Sequence, residues 1–170
     1  VDSGSLSDVS DTGTGTITDD DSTPSVQIDD VITPEGNTLS FTVSLSNPSD
    51  LAISLQIATT NGSASSTDYD TAAFTVTIPA GATSASAQVA TVSDNIDESD
   101  ETMTLFVSSV SAGTVSSFSD TGTGTIQDDD GAPSVQIGDI SITEGGTLNF
   151  PITLSNSSSE DIVLEFQPTD

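Results

Sequence analysis

Asp11 opens the segment DTGTGTITDDDSTPSVQI and Asp120 opens DTGTGTIQDDDGAPSVQI, so the chain repeats itself with a period of 109 residues. The register holds without a gap from the pair Val1/Val110 to the pair Asn61/Asp170. A period of this size is that of one ordinary domain, and it fixes the organisation better than total length does. Residues 22–130 are expected to form one complete unit, residues 1–21 the final strand of the unit before it, and residues 131–170 the first strands of the unit after it. Neither flank carries enough sequence to bury a core alone. The expectation is therefore a tandem array within a much longer protein, or an assembly in which neighbouring chains complete the partial units.

Within the complete unit, apolar residues alternate with small polar ones, the period-two pattern of half-buried strands. Leu39, Phe41, Val43 and Leu45 form one such run, followed by Ile53, Leu55 and Ile57, then Phe74, Val76 and Ile78, then Met103, Leu105 and Val107. Residues 25–28, 85–92 and 122–127 add three more strands, whose small side chains suit an edge or a closely approached position. Turn signals separate them at Pro34-Glu35-Gly36, Asn47-Pro48, Asn61-Gly62, Pro79-Ala80-Gly81, Asp94-Asn95 and Gly113. No stretch has sustained helical spacing. Seven short strands with regular turns predict an all-β fold, an immunoglobulin-like antiparallel β-sandwich repeated in tandem. The connectors Ser22-Thr23-Pro24 and Gly131-Ala132-Pro133 are too short for free swinging, so consecutive sandwiches are expected to line up end to end.

The chain holds 27 acidic residues and no lysine, arginine or histidine, a net charge of -27. Such a balance excludes the basic footprint that nucleic acid requires, and it disfavours anionic membrane surfaces. With 32% hydrophobic and 4% aromatic residues, self-repulsion opposes compaction while little apolar area favours it. Cysteine is absent, so disulfides cannot make up the difference. No apolar run approaches membrane-spanning length, and the opening VDSGSLSD is not a signal peptide. Abundant Ser, Thr, Gly and Asp give the expectation of an extracellular protein, secreted or at the cell surface.

No side chain can neutralise the acidic clusters, which leaves metal cations as their partner. Calcium takes six to eight oxygen ligands and needs neither sulfur nor imidazole. At an extended strand end, Asp128 and Asp130 project to one side and Asp129 to the other, so the triplet can serve a shared site and a second ion. A second acidic group, Asp94-Asn95-Ile96-Asp97-Glu98-Ser99-Asp100-Glu101, lies between two strands. The plainer readings are a solvated acidic turn and a halophilic surface.

Together the segments SVQI, PEGNTLSFTVSLS, TTNGSASSTDYD, FTVTIPAGATSASAQVATVSDNIDESDETMTLFVS and GTGTIQDDD resemble a Calx-beta domain, the module of sodium-calcium exchangers and of many large bacterial surface proteins. The resemblance covers residues 22–130 and extends into both flanks. It implies a seven-stranded sandwich that binds several calcium ions where the acidic loops and the terminal aspartates meet. Carried over by position, the implied ligands are Glu35, Asp94, Glu98, Glu101, Asp128, Asp129 and Asp130. Asn61 stands where the family often has an aspartate, so that ligand is neutral here, and Ser93 also replaces a common aspartate. Asp19, Asp20, Asp21, Glu144 and Asp170 are the corresponding positions of the partial units. Asp68 reads as a turn or cap residue and Tyr69 as core.

Other features have ordinary explanations. Thr12, Thr14, Thr16, Thr121, Thr123 and Thr125 fit strand propensity better than an ice-binding row. Asn61-Gly-Ser and Asn156-Ser-Ser match the glycosylation pattern, as chance allows in a Ser-rich chain. Paired carboxylates such as Glu98 and Glu101 serve some hydrolases, but general acid-base and nucleophilic chemistry have few resources without His, Cys, Lys or Arg. The expected function is thus that of a structural repeat, not an enzyme: calcium-stabilised, extending an adhesin or building a surface or matrix filament. Its partners are calcium ions and neighbouring repeats, in the same chain or in identical chains. A calcium-dependent glycan- or protein-binding module is the alternative, for which one Tyr and no Trp give little support.

Overall fold

A computed structural model describes residue 4, residues 10–71 and residues 73–167. All its regular structure is strand: β1 (Val26–Ile28), β2 (Val31–Pro34), β3 (Thr38–Leu45), β4 (Ile53–Asn61), β5 (Ala73–Ile78), β6 (Ser84–Ala90), β7 (Ile96–Asp97), β8 (Glu101–Ala112), β9 (Thr121–Gln127), β10 (Val135–Ile137), β11 (Ile152–Leu154) and β12 (Ser157–Ser158). A three-stranded sheet, β1-β3-β6, faces a five-stranded sheet, β2-β9-β8-β4-β5. Among the described residues, no helix is long and apolar enough to cross a membrane.

The alternation in sequence becomes the two inner faces of this sandwich. Leu39, Phe41, Val43 and Leu45 of β3 bury against Ile53, Leu55 and Ile57 of β4, Val76 and Ile78 of β5, and Met103, Leu105 and Val107 of β8. Each strand turns its polar residues outward, as in β3, where exposed Thr38, Ser40 and Thr42 alternate with buried neighbours. Tyr69 is buried too, and its hydroxyl donates to Asn61 Oδ1 at 2.6 Å. The seven expected strands are present as β1, β3, β4, β5, β6, β8 and β9.

The first strand is split, which the alternation does not predict. β1 pairs antiparallel with β3, whereas β2, three residues on, joins the other sheet and runs parallel to β9 from Val31↔Gly124 to Pro34↔Gln127. Side chains around the crossing hold it in place: Asp120 Oδ2 accepts from the Ile28 N–H at 2.9 Å, and Asp30 Oδ1 accepts from the Thr123 N–H at 2.6 Å. Pro34 ends β2 at the sheet edge, where its missing N–H costs no ladder bond. The β4/β8 ladder carries two register shifts, between Ser54 and Leu55 and between Gln56 and Ile57. Such irregularities increase local twist.

β9 is an inner strand that the core approaches closely. A Cβ on Gly122 would lie 2.6 Å from Ile28 Cγ2, and one on Gly124 would lie 2.9 Å from Leu39 Cδ1, Met103 Sδ and Phe41 Cζ. Its glycines therefore let two bulky core layers meet the backbone directly.

Beyond residue 130 the same local structure begins again. β10 pairs with β11 as Val135↔Leu154, the 109-residue translate of Val26↔Leu45 in the β1/β3 pair. Even the connector is repeated: Asn156 Nδ2 donates to Gly131 O at 2.9 Å as Asn47 Nδ2 donates to Ser22 O at 2.7 Å. β12 then pairs parallel with β7, Ser157↔Ile96 and Ser158↔Asp97. Ser158 Oγ reaches Asp97 Oδ2 at 3.1 Å, and the Ser159 N–H donates to Asp97 O at 3.0 Å.

Gly124→Ala should lower stability by about 1–3 kcal/mol through overpacking. Gly15→Ala, in the same sequence context with nothing within 4 Å of its Cβ position, should not. Urea midpoints measure both, and equal midpoints would contradict the close packing of β9.

Candidate metal centre

Parallel pairing of β2 with β9 brings the residues that follow each strand to the same end of the sandwich. Glu35, directly after β2, is fixed by its N–H bond to Gln127 O at 2.9 Å. Gly36 then turns the chain with φ of 70°, a left-handed conformation glycine adopts without strain. Asp128 to Asp130 follow β9, and Glu101 opens β8 opposite Ile126 of β9. Glu98 comes from the loop between β7 and β8, where its N–H donates to Asp128 Oδ2 at 3.2 Å. Asp94 sits in the preceding loop and accepts from the Ile96 N–H at 2.8 Å.

Two groups of carboxylates result. Glu35, Asp94 and Asp130 each present an oxygen within 4.8 Å of the others, and so do Asp68, Glu98 and Glu101. A small niche of about 10 Å³ joins them, lined by Glu35, Asp68, Glu98, Glu101 and Asp128. Glu35 Oε1 and Asp130 Oδ2, both in the first group, are enclosed and have no hydrogen-bond partner. Unpaired buried anionic oxygens are costly, and a cation removes that cost.

The electrostatics follow from this crowding. Burial, with the charge of Asp94 and then of Asp129 and Asp130, pushes Glu35 up to about 7 against a bond from the Asp94 backbone that pulls it down. Burial and Asp68, with Glu98, push Glu101 up to about 7 as well. Glu98 is raised by burial and by Asp94, Asp68 and Asp128, and Asp130 by partial burial and by Asp128, Asp129 and Asp94. Asp68 goes the other way. Against the push of burial, the Ser65 N–H at 2.6 Å and the Thr67 hydroxyl at 3.0 Å hold it below the usual aspartate value.

The structure thus gathers Glu35, Asp94, Glu98, Glu101 and Asp130 into the two groups and sets Asp128 at the niche between them. Asp129 lies outside both and acts on Glu35 and Asp130 through its charge. Asn61 Oδ1 accepts from the Tyr69 hydroxyl at 2.6 Å. In the flanks, Asp19, Asp20, Asp21 and Glu144 are exposed, and Asp170 is outside the described residues. The Asp21 N–H donates to Asp19 Oδ1 at 3.1 Å, repeating the Asp130 to Asp128 bond of 3.3 Å.

Asp68 is the member that sequence reasoning did not place among the acids. It is a turn residue, as expected, and its carboxylate also meets Glu98 and Glu101. The loop reaches them because the N–H groups of Gly62 and Ala64 both donate to Thr102 O, at 3.1 and 2.9 Å, and wrap the chain over the start of β8.

The model of the Calx-beta domain family matches residues 19–130. The chain belongs to the Calx-beta family. Calx-beta domains are calcium-binding modules, not enzymes. Among solved structures, the apo form of the Calx CBD1 domain is similar over 64% of this chain and all of that one, with 19% identity and a TM-score of 0.57. CBD12 from CALX1.2 is similar over 72% of this chain, with 22% identity and a TM-score of 0.57. The calcium binding domain CBD12 of CALX1.1 is similar over 68%, with 23% identity and a TM-score of 0.54. This chain spans about half of the two CBD12 chains, 53% and 50%. No curated protein matches.

Without metal, Glu35 and Glu101 keep protons in the folded domain that the unfolded chain releases between the ordinary value of 4.5 and about 7. Their penalty is therefore absent at acid pH and complete above neutrality, so metal-free stability should fall as pH rises through that window. Glu35→Gln with Glu101→Gln should flatten the fall and raise the metal-free melting temperature at about pH 8. Melts in chelator at constant ionic strength read both effects, and an unchanged slope in the double variant would refute the assignment.

Proposed function

We propose that this Calx-beta chain is a calcium-stabilised structural repeat of an extracellular protein, one that extends an adhesin or builds a surface or matrix filament. The observation that carries the calcium assignment is the pair of three-carboxylate groups with enclosed, unpartnered Glu35 Oε1 and Asp130 Oδ2. The donors are all oxygen, as a hard cation prefers, and no basic residue competes for them. Glu35, Asp94 and Asp130 would hold one ion and Asp68, Glu98 and Glu101 another, with Asp128 between them. The ions supply positive charge where the fold has gathered negative charge.

Extracellular modules bind calcium with dissociation constants of about 10⁻⁴ to 10⁻³ M. Free ion at ~100 times that constant stabilises by ~2.7 kcal/mol per site. Such an increment matters for a sandwich with 4% aromatic residues and a charge of -27. Support for a filament role comes from the 109-residue register and from the β7/β12 pair, which ties a following repeat to the acidic loop. The composition, rich in Ser, Thr, Gly and Asp and without lysine, supports an exported location.

Thermal melts should place calcium well above magnesium and chelator at matched ionic strength, and the Glu35→Gln, Glu101→Gln variant should lose the calcium increment. Equal melting temperatures in the three solutions would end the calcium reading. A second expectation concerns the joint. In an array of two or more complete repeats, Asp128→Asn with Asp130→Asn should shorten the maximum dimension seen by small-angle scattering in calcium. If the variant and the parent share one dimension while both stay folded, the ions do not stiffen the joint.

A further inference from the structure

The loop that presents Asp68 to Glu98 and Glu101 begins on an Asn-Gly pair, and the fold requires the glycine. β4 ends on Asn61, whose Oδ1 accepts from the hydroxyl of buried Tyr69 at 2.6 Å. Gly62 follows at a point where a Cβ would lie 2.5 Å from Thr102 O and 2.8 Å from Thr102 Oγ1. Its N–H donates to Thr102 O at 3.1 Å, as that of Ala64 does at 2.9 Å. Both Asn61 and Gly62 are exposed to solvent. In an Asn-Gly pair the side-chain amide is unusually open to attack by the next backbone nitrogen, because glycine has no Cβ to obstruct the approach and turns freely toward it. The chain has this pair once.

We infer that Asn61 is a deamidation site, which the closed loop holds in check and which opening of the loop releases. Gly62 N attacks Asn61 Cγ and forms a C–N bond. The Cγ–Nδ2 bond breaks, and the amide nitrogen leaves as ammonia with the proton from the Gly62 N–H. Water then opens the cyclic imide. Cleavage at Cγ gives an aspartate at position 61, and cleavage at the backbone carbonyl carbon gives an isoaspartyl link; water is the sole co-reactant.

In the closed loop each reacting group is engaged elsewhere. The Gly62 N–H is donated to Thr102 O, and the Tyr69 hydroxyl fixes the side chain by its oxygen. Attack requires both to let go, so conversion follows loop opening and not exposure alone. The two products differ in consequence. Aspartate preserves the acceptor for Tyr69 and adds one negative charge at the head of the loop that presents Asp68. The isoaspartyl link lengthens the backbone by a methylene just before Gly62, where the loop depends on two bonds to a single carbonyl, so it keeps the loop from closing again. The added carboxylate bears on a bound cation only under the calcium reading, whereas the conversion itself does not depend on it.

The test incubates the full chain in mildly alkaline native buffer and in urea. Mass spectrometry of chymotryptic peptides reads acid in place of amide at position 61, and enzymatic methylation counts isoaspartate. Conversion should be about tenfold or more slower in native buffer than in urea. Tyr69→Phe, which removes the hydroxyl that holds Asn61, should speed native conversion several-fold and leave the rate in urea unchanged. Ile78→Val trims the core at the opposite end of β4, opposite Ile53, and controls for global unfolding; it should speed native conversion less than Tyr69→Phe does. A chain that stays unconverted in urea overturns the site. Equal rates in native buffer and urea, or a native rate unmoved by Tyr69→Phe, overturn the protection. An Ile78→Val chain that converts as fast as Tyr69→Phe makes global unfolding the gate and overturns the role of the loop.

Discussion

The parallel ladder between β2 and β9 decides where everything else lies. A chain that stayed in the β1 strand would keep its first turn in the three-stranded sheet. By crossing at Asp29 and Asp30 it places Pro34 beside Gln127, and the next residues of both strands, Glu35 and Asp128, emerge side by side. The site is therefore a by-product of topology: the turns that carry Glu35, Asp68, Asp94 and Glu98, the chain after β9 and the start of β8 are brought to one end by the sheet order. The same ladder holds β9 against the core, where its glycines admit Phe41 and Leu39.

Gathering carboxylates in this way opposes folding. Glu35 and Glu101 are pushed up to about 7 by burial and by each group's acidic neighbours, so a neutral solution without cations acts against the acidic end alone. At the opposite end of the sandwich Asn47 ties the connector through Ser22 O. Stability is thus unevenly distributed along the long axis of the repeat. The acidic end is where β7 meets β12 of the following unit, so conditions at the weaker end bear on the joint as well.

Much of this was legible in the sequence, and the exceptions have physical causes. Period-two alternation located seven strands because each has one buried face, and β10 and β11 pair as β1 and β3 do, 109 residues on. β2 escaped notice because it is four residues long, half-buried at most, and ends on Pro34, which reads as the start of a turn. Its parallel pairing joins residues about ninety positions apart in sequence, and no local pattern encodes such a contact. Asp68 was missed as a member of the acidic groups because its approach to Glu101 depends on backbone bonds to Thr102 O, which leave no trace in residue type. Asn61 occupies a position that resemblance assigns to an acid, yet its oxygen is engaged by Tyr69, a contact set by packing under the loop.

The splitting of the first strand also determines how the repeat carries tension. When an array is pulled at its ends, force enters the sandwich through β1, which is paired with β3, passes on to β2 and leaves through the end of β9. β2 and β9 are adjacent and parallel, so once β1 is detached pulling slides one along the other and loads the ladder from Val31 to Pro34 all at once. An antiparallel pair of terminal strands would instead peel apart bond by bond from one end. The connectivity that assembles the acidic end is therefore also the one that resists extension by shear.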